Sequence, residues 1–350
     1  MLNVPMRNGE IIRTFRRGVT TGRIAPPSAV QWAAAAGAGL AVTLALIGQA
    51  GRISAAADFL NQFTPVWLTL GLAAALVMAI GPGRLRLAGL GAAAVLIATG
   101  GLAVLAEGVT GGGPTPARRP GEVRLVQFNL LKQNSAPEAA AEWIRDQDPD
   151  VVVLEEVALS GARVRDLLRQ DFPYETDCLS GRKRCSTVIM SATPPLAGDG
   201  LARGDPENRA ALSAAWIRLQ TAAGPLTVVG VHYGRPWPYG DQTGQREALS
   251  RFVRSASTDG MAIAGDFNMT PWTFAMRRQD EAWPLRRVTR GLPSWSGERV
   301  GLPGGRTWVV PPLLPIDHVY LGRDWTATTV RRGPWLGSDH RPVMVIFNRR

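Results

Sequence analysis

Histidine, cysteine and lysine are all scarce in this chain of 350 residues, which holds three His and two Cys. Two cysteines exclude the disulfide-dense frameworks on which small secreted folds depend. Cys178 and Cys185 have Arg182, Lys183 and Arg184 in the loop between them. A cysteine-based zinc or redox motif needs closer spacing or further ligands, and none stands nearby. A short disulfide closing a surface loop suits an oxidising compartment, with two free thiols as the alternative. An acidic balance is also lacking: Lys+Arg 39 against Asp+Glu 28 gives a net charge of +11. That sign suits an anionic partner, such as nucleic acid, a phosphorylated substrate or anionic lipid. Part of the excess belongs to Arg7, Arg13, Arg16, Arg17 and Arg23, and the Lys-poor, Arg-rich usage is compositional, so charge alone assigns no partner.

What is abundant is apolar: 45% of the residues are hydrophobic, enough for a sizeable core, and a disordered tail is excluded. They are unevenly spread. Ala29–Ala50, Phe63–Gly81 and Leu87–Ala106 are long uncharged runs, with Trp32 and Trp67 near run ends where amphipathic rings sit at lipid headgroups. At ~1.5 Å rise per residue, each crosses or nearly crosses a ~30 Å hydrocarbon core. Three transmembrane helices are expected, because a cleaved signal peptide explains one such run and not three. Gly37, Gly39, Gly71, Gly89, Gly91, Gly100 and Gly101 would let them pack closely. Basic residues cluster before the first run and, as Arg84 and Arg86, in the second loop, which places both on the cytoplasmic side. Everything after the third run then lies outside the cytoplasm, anchored in the inner membrane, although Arg118 and Arg119 pull the other way.

The chain therefore divides into a basic N-terminal segment (1–28), three spans (29–109), a Gly/Pro linker (110–120, TGGGPTPARRP) and a soluble domain (121–350). In the last, short apolar strand-like runs alternate with helical patterns, so it is α/β, without an internal repeat. Strands are expected near 123–128, 151–154, 187–191, 212–219, 226–231, 261–264, 316–321 and 343–347, and helices near 136–147, 162–170 and 245–256.

Polar motifs sit where apolar runs stop, the place at which a sheet exposes side chains to a ligand. They are Asn129, Glu155-Glu156, His232, Asp266-Phe267-Asn268, Asp317-His318 and Ser338-Asp339-His340, and all three histidines fall among them. Asp266 and Asn268 alternate, so a carboxylate and an amide share one face. Asp266 suits a base that takes a proton from water, an assistance of ~10²–10⁴-fold, while Asn268 holds the water and the phosphoryl oxygens; a capping pair before Pro271 is the alternative. On an extended backbone only one of Glu155 and Glu156 can face the site. Glu156 is favoured as ligand to a hard cation, Mg²⁺ with Mn²⁺ or Ca²⁺ possible, against a solvated strand-end glutamate. His340 is the expected imidazole at the phosphate, with Asp317 orienting it and Asp339 facing metal or water. His318, adjacent to Asp317, points the other way and reads as structural. His232 ends an apolar strand and is read as functional from its company.

Taken together, Asn129, Leu154-Glu155-Glu156, His232, Gly265-Asp266-Phe267-Asn268, Ile316-Asp317-His318 and Gly337-Ser338-Asp339-His340 resemble the endonuclease/exonuclease/phosphatase superfamily over roughly Val123 to Phe347. That superfamily includes pancreatic-type deoxyribonuclease, abasic-site endonucleases, neutral sphingomyelinases and inositol polyphosphate 5-phosphatases. The resemblance implies a four-layer αββα sandwich behind the three transmembrane helices and a metal-dependent phosphoesterase. It also implies metal-site roles for Asn129, Glu156 and Asp339, water and phosphate positioning by Asp266 and Asn268, and Asp317 as partner of the catalytic His340, with His232 as second histidine. Glu155 departs from the pattern, since Gln commonly stands there. The membrane-anchored arrangement, with HYGRPWP, DFNMTPW and RTW, is similar to a bacterial subgroup. Arg235, Arg182 and Trp237 are candidate substrate contacts, and Trp272 and Trp308 either line the groove or pack the sandwich. Nucleic acid, phospholipid or a phosphorylated small molecule all remain open as substrate, as does a binding module without turnover.

Overall fold

The computed structural model describes residues 26–108, 114–178, 187–203, 210–237, 240–297, 299–301 and 307–350. Ser28 starts the first helix by accepting from the Gln31 amide while Gln31 reaches back to the Ser28 N–H, a reciprocal cap. Helix α1 (Ala29–Gln49) continues through a 3₁₀ turn to Arg52. It is followed by α2 (Ala55–Asn61), α3 (Thr64–Ala79) and α4 (Gly83–Leu96), which a π turn at Ile97–Gly101 joins to α5 (Leu102–Glu107). Two of these helices, Ala29–Arg52 and Gly83–Glu107, are long and apolar enough to cross a membrane. The middle run differs from expectation: α3 is short, and passes the same test only together with α2, from which it is bent by 61°. Pro65 opens α3 and supplies no N–H to continue α2. The helices touch through small residues: a side chain at Gly71 would strike Ala41 and Leu96, and one at Gly89 would strike the backbone of α3. Gly39 and Gly91 face open space instead.

Beyond the helices lie two six-stranded sheets. The first runs β13-β14-β1-β2-β4-β3, from β1 (Glu122–Asn129), β2 (Val151–Glu155), β3 (Tyr174–Asp177), β4 (Val188–Ser191), β13 (Trp325–Arg332) and β14 (Val343–Arg349). The second runs β5-β6-β7-β8-β12-β9, from β5 (Pro195–Arg203), β6 (Ser213–Thr221), β7 (Gly224–His232), β8 (Met261–Asp266), β9 (Arg286–Arg287) and β12 (Asp317–Leu321). A separate pair joins β10 (Arg299–Gly301) and β11 (Thr307–Val309).

Period-2 alternation builds the layers. Leu125, Val151, Val153, Ile189 and Val345 from the first sheet interleave with Ile217, Val228, Ala262, Ala264 and Val319 from the second. Each buried Val, Leu or Ile among them contributes about 1.5–3 kcal/mol. The intervening residues of the first sheet, among them Val126, Phe128, Val152 and Leu154, turn outward under α6 (Pro137–Asp146) and α7 (Leu159–Leu168). Those of the second, including Val229, Val231, Ile263 and Tyr320, lie under α8 (Asp241–Ser255) and α9 (Phe274–Ala282). The result is the four-layer αββα sandwich. Strands β3, β5 and β13 and helices α2 and α9 were not expected from periodicity.

The sandwich sits on the ends of the apolar helices. Asp58 of α2 accepts from the Phe274 and Ala275 amides at 2.8 Å each, putting a carboxylate at the positive end of α9. Gln62 bonds the Asn268 carbonyl and the Thr270 amide, and the Trp272 indole donates to the Gln62 carbonyl. Glu107, at the end of α5, pairs with Arg287 at 2.9 Å. The turn after α1 and the end of α5 thus lie at the same end of the helical bundle, facing the sandwich.

Candidate active site

Strand register brings the motifs together. In the second sheet His232 lies opposite Asp266, and Asp266 opposite Asp317, so three adjacent strands present one row at their ends. In the first sheet Asn129 lies opposite Glu155 at the ends of β1 and β2, and β1 and β2 pack against β8 across the core. Gly265 is required within this row, because a Cβ there would run into the Val231 carbonyl of β7.

Asp266 is the centre. Its Oδ1 accepts from the Asn268 backbone amide at 2.8 Å, and its Oδ2 accepts from the side-chain amides of Asn129 at 3.0 Å and Asn268 at 3.3 Å. The Nε2 atoms of His232 and His340 each stand 3.6 Å from that same Oδ2. Asn268 adopts a left-handed backbone, φ 48°, and its amide also donates to the Tyr233 carbonyl at 2.9 Å. The pair is therefore fixed from both sides. Asp317 and His340 meet at 2.8 Å between Oδ2 and Nδ1, and both are buried. The backbone amide of His340 donates to Ser338 Oγ, whose hydroxyl donates to the Asn129 carbonyl, which locks the C-terminal motif onto β1.

These contacts set the charges. Burial disfavours a charged His340, but Asp317 and Asp266 outweigh it and raise the imidazole to about 10. Burial pushes Asp317 up as well, and His340 outweighs that and holds the carboxyl below its usual range. Burial, only partly offset by His340, lifts Asp266 to about 7. His232 is pushed down to about 4, chiefly by burial, and is neutral at physiological pH.

Glu155 and Glu156 differ from expectation in an instructive way. Glu155 is fully buried, and Gln127 Nε2 bridges it to Asp317 at 2.9 and 2.8 Å. Glu156 does not continue the extended strand: its φ is 54°, and this turn sends its side chain to the rim, where it accepts from the Lys132 amide at 3.3 Å and lies close enough to His232 to favour that ring's charged form. The rule that one of two adjacent glutamates must face away assumed an extended backbone, and the left-handed turn removes that constraint. Gln127, two residues before Asn129 on the same face of β1, was overlooked; the i, i+2 spacing was its signal. Asp339 is held by the Trp295 indole at 2.9 Å, a contact that sequence did not foretell. His318 is fully buried, with Nδ1 at 3.1 Å from Thr289 Oγ1 and Nε2 at 2.9 Å from the Met269 carbonyl, away from this cluster. Arg235 and Trp237 are exposed, Trp308 is exposed on β11, and Trp272 is buried against α2's end. Arg182 and Cys185 lie outside the described residues; Cys178 is buried just after β3.

The donor set suits a hard divalent cation. Single donor atoms of Asp266, Asp317 and His340 all lie within 4.8 Å of one another. Buried beside them, Glu155 Oε1 and Gln127 Oε1 have no hydrogen-bond partner among the described residues. The carboxylate and amide oxygens are donors such an ion would take, and burial drives Asp266 and Glu155 toward protonation, which its charge would offset, whereas the His340 imidazole is charged and paired to Asp317.

Comparison with known proteins agrees with the geometry. A profile described as the Endonuclease/Exonuclease/phosphatase family matches residues 126–340. No curated protein matches the sequence. Among solved structures, an endonuclease/exonuclease/phosphatase from Beutenbergia cavernae is 20% identical, with a TM-score of 0.49, covering 66% of this chain and 72% of that one. A functionally unknown conserved protein from Enterococcus faecalis is 13% identical at a TM-score of 0.51, covering 65% of this chain and all (100%) of that one. TDP2 from D. rerio, complexed with single strand DNA product, is 13% identical at a TM-score of 0.51, covering 65% of this chain and 99% of that one. The two structures at a TM-score of 0.51 bear on the fold, and the profile match extends over more than half the chain: the protein belongs to the endonuclease/exonuclease/phosphatase family, whose members are hydrolases acting on phosphoester bonds.

Proposed function

We propose that the chain is a divalent-metal-dependent phosphodiesterase anchored in the inner membrane, with residues 121–350 as its catalytic domain on the extracytoplasmic side. The observation that supports this best is the single Asp266 Oδ2 flanked by His232 and His340 at 3.6 Å each. Asp266 takes the proton of the attacking water, while Asn268, whose N–H groups go to Asp266 and the Tyr233 carbonyl, holds that water in line through its Oδ1 and so positions it against the phosphoryl group. His340, kept charged by Asp317, neutralises or protonates the phosphate as negative charge builds. Neutral His232 offers Nε2 to the same phosphate from the other side. Glu156, Asn129 and Asp339 are the proposed holders of Mg²⁺, with Mn²⁺ or Ca²⁺ as substitutes, and such an ion supplies charge neutralisation at the phosphate. Arg235, Arg182 and Trp237 are the proposed substrate contacts. Residues 1–28 form the cytoplasmic segment, 29–109 the three spans and 110–120 the linker.

The substrate class is either nucleic acid or a phospholipid or inositol phosphate. The seating of the sandwich on the apolar helices supports the lipid reading, because it would bring headgroups within reach. The test is hydrolysis of a generic phosphodiester by the full chain in detergent, with and without EDTA, followed by plasmid and phospholipid vesicles under Mg²⁺. Metal-dependent turnover is expected, abolished in Asp266→Asn and Glu156→Gln. Binding of phosphorylated ligand without turnover would make the chain a tethered binding module instead.

A further inference from the structure

A cavity of about 210 Å³ opens where the turn after α1 meets the sandwich. None of the proposed catalytic residues lines it. Its walls carry three guanidinium side chains, Arg52, Arg246 and Arg278, and one carboxylate, Asp58. Asp58 is already committed, since both its oxygens accept from the first amides of α9 and Oδ1 also from Asn61. No described carboxylate forms an ion pair with any of the three arginines. Arg52 lies over the Phe274 ring at 5.3 Å, and Arg278 donates to the Arg52 carbonyl at 3.3 Å, so two cations are drawn together, with Asp58 the one carboxylate among the described residues that line the cavity. Burial, with Arg278 adding to it, lowers the proton affinity of the third, Arg246.

The position says which anion. Arg52 ends the 24-residue apolar helix Ala29–Arg52, where a spanning helix meets the headgroup layer. Ile53, on the same rim of the cavity, is 93% exposed, an apolar side chain that water would not favour but an acyl chain would. A cationic pocket with an apolar lip, set at the end of a membrane helix, matches an amphiphile with a phosphate head. We propose that this cavity is a second, non-catalytic site that binds the headgroup phosphate of an anionic phospholipid. It shares walls with the catalytic loop: Gln62 and Gln242 line it, and both donate to the Asn268 carbonyl at 3.2 Å. A bound headgroup therefore braces the segment that carries Asn268.

The inference rests on the reading that the apolar helices span a membrane, and the two are tested separately. Retention of the full chain in membranes after alkaline extraction checks the spanning reading. The site is tested by calorimetric titration of the purified full chain in non-ionic detergent with short-chain phosphatidylglycerol, short-chain phosphatidylcholine and inorganic phosphate. Saturable binding of phosphatidylglycerol is expected, stronger than that of the other two. It should weaken about tenfold in Arg246→Gln and in Arg278→Gln, as for loss of a charge-assisted contact, and recover in part in Arg246→Lys. Arg52 is exposed, so Arg52→Gln provides a variant whose folding is not at stake, and it should weaken binding in the same direction. Unchanged phosphatidylglycerol affinity in all three Gln variants, in protein still retained by membranes, overturns the site alone. Inorganic phosphate binding as tightly as phosphatidylglycerol overturns it too, by assigning the pocket to a free phosphorylated compound.

Discussion

The two faces of β12 put neighbouring residues to opposite uses. Asp317 points between the sheets and charges His340, whereas His318 points under α9 and is pushed down to about 3 by burial, its two nitrogens occupied by Thr289 and Met269. One histidine is held cationic by two carboxylates and the other neutral by burial, with the Arg287 charge adding to it. The contrast teaches that what surrounds an imidazole, rather than its nearness in sequence to an acid, decides whether it can do proton chemistry. His318 touches Asp317 in sequence and stays outside the cluster, while His340, 23 residues away, is its partner.

The largest expected effect lies on the charged side. Asp266→Asn should lower kcat about 10²–10⁴-fold, the usual worth of a positioned base, measured on a soluble phosphodiester at saturating Mg²⁺. Wild-type turnover in that variant would move the base elsewhere. The neutral side should break differently. His318→Leu removes the partner of the Met269 carbonyl and one contact of the Thr289 hydroxyl, and is expected to cost about 1–3 kcal/mol of stability by denaturant unfolding, with kcat retained in the folded fraction.

The charge difference also has a pH signature. His340 titrates near 10 in the folded chain and near 6.5 when unfolded, so its contribution is fully present below about pH 6.5 and is lost as pH rises through about 10. The thermal midpoint should therefore fall between pH 7 and 10, and fall less steeply in His340→Gln. An identical slope in the two proteins would contradict the charged pair. The smallest effect belongs to the seam with the apolar helices. Asp58→Ala removes the acceptor from two α9 amides and should destabilise by about 0.5–2 kcal/mol, as for loss of a helix cap, without abolishing turnover.

Much of this contrast was legible in the sequence, because strand-end residues obey a period of two. Asn129, His232, Asp266 and Asp317 each close an apolar run, and register alone then sets them in rows. His318 was legible as structural for the same reason. The apolar helices announced themselves by composition, although the bend between α2 and α3 did not: Pro65 marks the break, and Asp58 and Gln62 on the α2 side dock on a domain over 200 residues later. Glu156 was misjudged in its geometry because a left-handed turn follows the strand, and no residue type there signals one. Strand β13 alternates weakly and pairs through an irregular register, so it reads as a loop until β14 is beside it. Trp295 reaches Asp339 from a segment without any periodicity.

The central claim is that His340, charged by Asp317 beside Asp266, serves phosphoester hydrolysis. Its most direct test sets His340→Ala beside His318→Ala in the full chain, comparing Mg²⁺-dependent kcat per folded molecule on one soluble phosphodiester. The account predicts that turnover collapses in His340→Ala and persists in His318→Ala; full activity in His340→Ala, or equal loss in both, would contradict it.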